Sequence, residues 1–157
     1  MIIDKDKLKD IRQKHKDKKI VLTTGTFDLF HVGHLNYLKN VKSYGDVMIV
    51  LLSGDLRVKS RKGQKRPIIP EYQRALILDA IRYVDYVLID PSKMRTDQID
   101  PIHLELLNDL DPDLYVTDGP DPRFFKILEK SKFIILDRID PLPSTSNIIE
   151  RIVKLGI

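Results

Sequence analysis

The sequence contains no cysteine and no long apolar run. Without cysteine, the chain of 157 residues can form no disulfide, no thiolate metal site and no thiol nucleophile. No apolar stretch approaches the roughly 20 residues that span a bilayer, and the first residues lack the apolar core of a signal peptide. We therefore expect a cytoplasmic protein without a membrane partner.

The chain also lacks a large excess of either sign of charge. The chain has 27 Lys and Arg against 23 Asp and Glu, a net charge of +4. Part of the excess is concentrated at residues 57–66, here called the basic segment. This segment holds no aromatic side chain on which a nucleic-acid base could stack, so nucleic acid is not the expected partner. Cations beside a phosphate-binding pocket are the preferred interpretation.

Short apolar strands alternate with helical segments along the chain. Strands are predicted at 20–23, 47–52, 84–89, 114–116 and 133–136. Helices are predicted at 5–15, 35–41, from Pro70 onward, and at 102–110, 124–128 and 147–155. The second strand is apolar without alternation, which is typical of a parallel sheet covered on both faces.

This alternation predicts the α/β class, with a single Rossmann-like, doubly wound domain over 1–157 and a five-stranded, mainly parallel sheet. Residues 1–18 are expected to form an N-terminal helical extension, and residues 144–157 a C-terminal helix. Gly45 is expected to end the first long helix. The basic segment is predicted to be a loop, because it is polar, contains Gly63 and is followed by Pro67.

The most informative segment is 24–34, a turn between the first predicted strand and the following helix. Such a junction directs backbone N–H groups and the positive end of a helix dipole at one spot, which suits phosphate. His31 and His34 add donors there that can carry charge near neutral pH, and Gly33 allows close backbone approach. Two histidines at this spacing lack the further ligands that a zinc site needs. The pattern indicates a nucleoside triphosphate site rather than a metal site.

Two motifs in this chain resemble the signatures of a known superfamily. Gly25-Thr26-Phe27-Asp28, followed by His31-Val32-Gly33-His34, is similar to the GxFD turn and HxGH motif of the nucleotidyltransferases. Ser144-Thr145-Ser146-Asn147-Ile148-Ile149 resembles the hydroxyl-rich second signature that opens the last helix of that superfamily. The stretch 66–74 resembles the sugar-phosphate branch, in which heptose-1-phosphate adenylyltransferases and glycerol-3-phosphate cytidylyltransferases look nearest.

The resemblance implies transfer of a nucleotidyl group. A phosphate oxygen of a phosphorylated small molecule would attack the α-phosphorus of ATP or CTP and expel pyrophosphate. No covalent enzyme intermediate is needed, so positioning and electrostatic stabilisation would supply the catalysis. Mg²⁺, bound mainly through the triphosphate, is the implied cofactor. Relatives of this size also suggest a homodimer.

Site residues can be assigned from the motifs. His31 and His34 would be catalytic, together with Lys59 and Lys62 as flexible phosphate clamps; Arg57, Arg61 and Lys65 compete for the clamp role. Nucleotide binding is expected from Gly25, Thr26, Phe27, Asp28, Gly33, Asp118, Gly119, Arg138, Ser144, Thr145 and Ser146. Asp28 is expected to fix the turn, since a carboxylate beside phosphate is repelled.

Several neighbouring residues receive weaker or bland interpretations. Arg74 is either a family residue or a surface charge, and His15 and His103 are expected to be solvated. Asp118 precedes Gly119, whereas in the sugar-phosphate branch a glycine precedes an acid, so the base is left open.

The preferred substrates are ATP and a sugar phosphate of the heptose 1-phosphate type. The alternatives are CTP with glycerol 3-phosphate or phosphoethanolamine, and ATP with FMN. A nucleotide-binding module without catalysis and a small basic RNA-binding protein are the alternatives from other classes.

Overall fold

The computed structural model describes residues 1–92, 100–119, 132–137 and 143–156. The helix predicted at 124–128 and the predicted nucleotide-binding residue Arg138 lie outside these ranges. Within them, the chain folds around one parallel sheet with helices on both faces. The predicted α/β class is therefore confirmed.

Among the described residues the sheet has six parallel strands, in the order β1-β4-β3-β2-β5-β6. Their bounds are β1 Ile2–Ile3, β2 Ile20–Gly25, β3 Val47–Leu52, β4 Tyr86–Ile89, β5 Leu114–Thr117 and β6 Phe133–Ile135. The expected number of five is wrong because β1 adds an edge strand beside β4. A strand of two residues is too short to produce a recognisable hydrophobic pattern.

A short 3₁₀ helix at Lys5–Lys7 leads into the first of the described α-helices. These are α1 Leu8–Lys14, α2 Val32–Lys42, α3 Asp55–Lys62, α4 Glu71–Asp79, α5 Pro101–Leu110 and α6 Thr145–Lys154. None of these described helices combines the length and the apolar character of a membrane-spanning segment.

The two faces of the sheet have separate apolar cores. Leu8 and Ile11 of α1 pack with Leu106 and Leu107 of α5 on one face. On the other face, α2 and α4 pack against β3, whose six residues are all buried. This burial explains why β3 is apolar without alternation. The carboxyl ends of β2 and β3 lie at one edge of the sheet. The turn of residues 24–34, here called the signature turn, begins there.

Gly45 does not end α2 as expected. The helix ends at Lys42 with Ser43 as its C-cap. A Cβ at Gly45 would lie 2.8 Å from the carbonyl oxygen of Lys19, so this glycine allows two chain segments to pass closely. The residue marks an approach of the loop before β3 to the start of β2.

Most of the basic segment is helical, so the predicted loop is wrong. Helix α3 begins after Gly54 with Asp55 in its first turn, where a negative charge suits the helix dipole. It ends at Gly63, whose φ of 91° is in the left-handed region that favours glycine. The sequence hid this helix because its two buried residues are Arg57 and Val58, of which one is charged.

Candidate nucleotide-binding site

The signature turn leaves the carboxyl end of β2 in a conformation that few residues adopt. Phe27 and Leu29 have φ values of 51° and 46°, and the Phe27 side chain is buried. A Cβ at Gly25 would lie 2.6 Å from the Phe27 ring, so only glycine fits beneath it. The strained turn therefore places Phe27 under the start of α2, next to the histidines.

His31 and His34 form a stacked pair at the start of α2. Their ring centroids lie 3.7 Å apart with an interplanar angle of 21°. His31 caps the helix, because its Nδ1 accepts the backbone N–H of Gly33 at 3.1 Å. Phe27 and Phe30 flank the His34 ring at centroid distances of 5.3 and 5.6 Å. The aromatic turn thus fixes both imidazoles in place.

Burial lowers the pKa of both histidines in the free protein. Desolvation lowers the pKa of His34 to about 3, and the charges of His31 and Lys62 act in the same direction. Desolvation also lowers the pKa of His31. Both shifts disfavour the charged form of the rings in the protein without ligand.

Each ring nevertheless offers a buried polar atom to a ligand. His31 Nε2 and His34 Nδ1 are buried and have no hydrogen-bond partner among the described residues. Because His31 Nδ1 accepts a hydrogen bond, the proton of its neutral ring is on Nε2, which is therefore a donor. Buried polar groups normally have partners, so this pair indicates a binding position.

Asp28 holds the turn to the segment before α4. Its carboxylate accepts the backbone N–H groups of Ile68 at 3.0 Å and Ile69 at 2.9 Å. Arg66 donates from Nε at 3.0 Å and forms an ion pair from Nη2 at 2.8 Å. Burial raises the pKa of Asp28, but these donors outweigh it and hold the pKa below its usual value. The structure thus places Asp28 as the acid that fixes the turn.

The start of α6 meets the start of α2 at this turn. Ser144 caps α6 by accepting the N–H of Asn147 at 3.2 Å. Thr145 is buried and donates its hydroxyl to the Asp28 carbonyl at 2.8 Å. A Cβ at Gly33 would lie 2.8 Å from the Pro143 carbonyl oxygen, so glycine permits this contact. The positive ends of two helix dipoles therefore converge near the histidine pair.

Helix α3 brings part of the basic segment to the same place. Arg61 Nη2 donates to the Thr26 hydroxyl at 2.7 Å. Lys62 is exposed, yet it lies close enough to His34 for its charge to lower the pKa of His34. The pKa of Lys62 is itself lowered by partial desolvation and then by Arg61 and Arg66. Lys59 lies three residues before Lys62, on the same side of the helix.

The other predicted residues are distributed around this edge. Asp118 follows β5, and its charge acts on both Lys62 and Tyr37. The Thr117 hydroxyl donates to the Gly119 carbonyl at 2.9 Å and closes the turn there. Ser146 is exposed in the first turn of α6, and Lys65 is exposed beyond α3.

Arg74 is a structural residue that the sequence interpretation missed. It is only 1% exposed, so its interpretation as a surface charge is wrong. Nη1 donates to the carbonyls of Thr26 at 2.6 Å and Ser53 at 2.9 Å, and Nη2 pairs with Asp55 at 2.6 Å. Arg74 shares the inward face of α4 with Leu78, and a charge on an apolar face was the available signal.

His103 is also buried rather than solvated, and His15 is only partly exposed. His103 lies on α5 in helical register with Leu106, Leu107 and Leu110, all of them buried. His15 Nε2 lies 2.9 Å from the Tyr86 hydroxyl. The spacing of His103 to three leucines was a signal for burial.

The family of the chain can now be stated. The family model described as "Cytidylyltransferase-like" matches residues 22–151, which include both signatures. The chain belongs to the cytidylyltransferase-like family. The resemblance predicted from the two motifs is thereby confirmed at the level of the family.

Several curated relatives share this region. The "Bifunctional protein HldE" of Campylobacter jejuni subsp. doylei is 43% identical over 141 residues, 88% of this chain and 29% of that protein. The protein of the same name from Geobacter metallireducens is 40% identical over 148 residues, 90% of this chain and 28% of that protein. The chain therefore spans less than one third of the length of these relatives.

Solved structures support the fold. The lipopolysaccharide core biosynthesis protein from Thermoplasma volcanium has a TM-score of 0.60 and 22% identity, covering 78% of this chain and 99% of that one. Pantoate-beta-alanine ligase from Francisella tularensis has a TM-score of 0.64 and 20% identity, covering 95% of this chain and 72% of that one. At these identities the likeness shows the fold alone.

Proposed function

We propose that this chain transfers AMP from Mg-ATP to the phosphate of a sugar phosphate of the heptose 1-phosphate type and releases pyrophosphate. The observation that carries this proposal is the stacked His31–His34 pair, with its unpartnered buried nitrogens, beside the converging starts of α2 and α6. Two helix N-termini and two imidazoles at one spot suit a triphosphate better than a neutral ligand.

The reaction needs position and charge rather than a nucleophilic side chain. An oxygen of the acceptor phosphate attacks the α-phosphorus, the bond from that phosphorus to the bridging oxygen breaks, and pyrophosphate leaves with the bonding electrons. His31 Nε2 would donate to a phosphate oxygen, and Lys62 would offset negative charge as it spreads over the transferred group. The fixed rings lose little freedom when substrate binds.

In this proposal the metal ion arrives with the triphosphate rather than being held by the turn. In the described ranges no group of three or more His, Asp or Glu side chains could hold a metal by itself. Asp28 already accepts hydrogen bonds from Arg66, Ile68 and Ile69, so it has little capacity left for an ion. Mg²⁺ held mainly by triphosphate oxygens would supply charge neutralisation there.

The choice of acceptor depends on sequence similarity. The N-terminal helix before β2, the Arg-Pro stretch at 66–67 and the Ser-Thr-Ser-Asn-Ile-Ile run at 144–149 all resemble heptose-1-phosphate adenylyltransferases. The 40–43% identity to the HldE proteins over most of this chain agrees with that choice. We further propose that the protein acts as a homodimer, which light scattering of the purified chain tests.

A pyrophosphate-release screen tests the proposed function. ATP and CTP are each combined with heptose 1-phosphate, glycerol 3-phosphate, phosphoethanolamine and FMN, with a His31→Ala/His34→Ala double variant as control. We expect release with ATP and heptose 1-phosphate that the double variant lacks. Release with another pair would replace the proposed nucleotide or acceptor with the members of that pair. No release with any pair, together with RNA binding that triphosphate does not displace, would refute nucleotidyl transfer.

A further inference from the structure

A buried ionic cluster lies beside α3, outside the signature turn. Its members, here called the Asp90 cluster, are Arg57, Asp90, Ser92 and His103, each less than 10% exposed. His103 Nε2 lies 3.0 and 2.9 Å from the two Asp90 carboxylate oxygens. Arg57 Nε lies 3.4 Å from Asp90 Oδ2, and Arg57 Nη1 donates to the Ser92 hydroxyl at 3.0 Å.

The contacts within the Asp90 cluster link its members to one another. The Ser92 hydroxyl accepts a hydrogen bond from Arg57 Nη1, and His103 Nε2 contacts the Asp90 carboxylate. The Ser92 N–H also donates to Asp90 Oδ1 at 2.9 Å. These contacts join the segment after β4 to α3 and α5.

Helix α3 depends on polar contacts for its position. Its two buried residues are Arg57 and Val58, so only one apolar side chain anchors eight residues. At the start of the helix, Asp55 pairs with the buried Arg74. The Asp90 carbonyl oxygen would lie 3.0 Å from a Cβ at Gly54, so the residue before the helix is also pressed against Asp90.

Two cations that act on the signature turn and the histidine pair lie on this same helix. Arg61 is one helical turn beyond Arg57, and Lys62 follows it. Arg61 contacts Thr26 in the signature turn, and the Lys62 charge reaches His34. A small rotation of α3 about its first turn would therefore move both cations away from the histidine pair.

We propose that Asp90, held by His103, is a positioning residue that fixes Arg57 and thereby sets α3 so that Arg61 and Lys62 face the triphosphate. This inference rests on the proposed function. Asp90 touches no substrate in this arrangement and acts only through α3. Misplacement of charged groups by about 1 Å can cost on the order of 100-fold in rate.

The first test is kinetic and uses a matched control. Asp90→Asn keeps the side-chain shape but removes the charge that Arg57 faces. Asp113→Asn removes another paired carboxylate, which binds Arg12 and the Ile20 N–H at the opposite edge of the sheet. For Asp90→Asn we expect kcat to fall about 10- to 100-fold with KM for ATP changed less than about 3-fold. Asp113→Asn should retain the wild-type kcat at temperatures where it is folded.

A double-mutant cycle with Lys62→Ala separates positioning from general destabilisation. If Asp90 acts through α3, the Asp90→Asn/Lys62→Ala variant should lose less than the product of the two single losses. Asp113→Asn should combine with Lys62→Ala multiplicatively. Multiplicative losses for Asp90→Asn, or a loss that matches only its unfolded fraction, would overturn the proposal.

The second test needs no activity and stands if the proposed function fails. Amide hydrogen exchange of the free protein is measured for α3 and α2 in the wild type and both variants. Asp90→Asn should speed exchange across α3 at least about 10-fold while α2 is unchanged, and Asp113→Asn should leave α3 as in the wild type. Unchanged protection of α3 in Asp90→Asn would refute the structural half of the inference, whatever the substrate screen shows.

Discussion

At the scale of single residues, burial determines the pKa of the two imidazoles at the start of α2. Phe27 and Phe30 flank His34. Burial in this environment destabilises the charged ring and lowers its pKa to about 3. The motif identified both histidines from the sequence, but their protonation could not be predicted. It depends on the two left-handed turn residues, Phe27 and Leu29, which no periodicity reveals.

Replacement of His34 should remove transition-state stabilisation without unfolding the protein. In His34→Ala we expect kcat/KM for pyrophosphate release to fall about 100- to 1000-fold, the usual effect of losing one donor to developing charge. His15→Ala serves as the control, because His15 lies by Tyr86, away from the turn. A His34→Ala variant as active as the wild type would remove His34 from the mechanism.

The histidine pair should also make stability depend on pH. As the pH falls below about 6.5, the unfolded chain takes up protons at these two positions more readily than the folded protein does, because folding lowers the pKa of both histidines; the free energy of unfolding should therefore fall as the pH falls. Between pH 6.5 and 5 we expect His34→Ala to recover roughly 1 kcal/mol of that loss, after allowance for solvent screening. Urea unfolding at a series of pH values measures it.

Asp113 provides the control for this pH effect. Asp113 has a lowered pKa because the Ile20 N–H and Arg12 together outweigh the opposing effect of burial. Its contribution should therefore be lost only as the pH falls through about 4 and below. If Asp113→Asn flattened the curve between pH 6.5 and 5 as strongly as His34→Ala, the assignment to His34 would be wrong.

At the scale of elements, the site is the meeting of α2, α6 and α3. The contact between α2 and α6 depends on Gly33, because the Pro143 carbonyl oxygen occupies the space of a Cβ. Both helix starts could be predicted from the signatures. Their contact could not, because it joins residues that are 110 positions apart in the sequence.

Gly33→Ala should separate the starts of α2 and α6. The clash should outweigh the better helix propensity of alanine and cost about 1–2 kcal/mol of stability, with loss of activity. Thermal unfolding and pyrophosphate release measure the two effects. Gly119→Ala is the control for stability, since an added Cβ there meets no atom within 4 Å. Equal stability of both variants would show that the Gly33 contact is dispensable.

The largest wrong prediction at this scale was the loop at 57–66, most of which is helix α3. The pattern of the basic segment lacks an apolar stripe, because Arg57 occupies an inward position that a hydrophobic residue usually holds. Its partner Asp90 directly follows β4 and is distant in sequence, so the sequence could not show that the charge is paired. The same reason conceals the buried Arg74, whose partners lie in three other segments.

At the scale of the whole molecule, alternation of strands and helices predicted the fold class and the edge of the sheet that carries the site. The parallel register of β2 with β3 and β5 sets the turn at the carboxyl end of the central strand, where ligands of such sheets bind. The edge strand Ile2–Ile3 escaped prediction because only its pairing with β4 defines it.

Removal of divalent metal should stop the proposed reaction. With a chelator in excess of Mg²⁺ we expect pyrophosphate release to fall to background, because the triphosphate charge is then not neutralised. Added Mg²⁺ should restore the rate, and thermal unfolding of the free protein should not change with chelator. Full activity in chelator would refute a role for the metal.

A crystal structure with Mg²⁺ and a non-hydrolysable ATP analogue is the decisive measurement. The triphosphate should lie within hydrogen-bond distance of His31 Nε2, beside the starts of α2 and α6, with Lys62 turned towards it. A nucleotide bound in another crevice, with the two imidazoles out of reach of its phosphates, would contradict the assignment of this site.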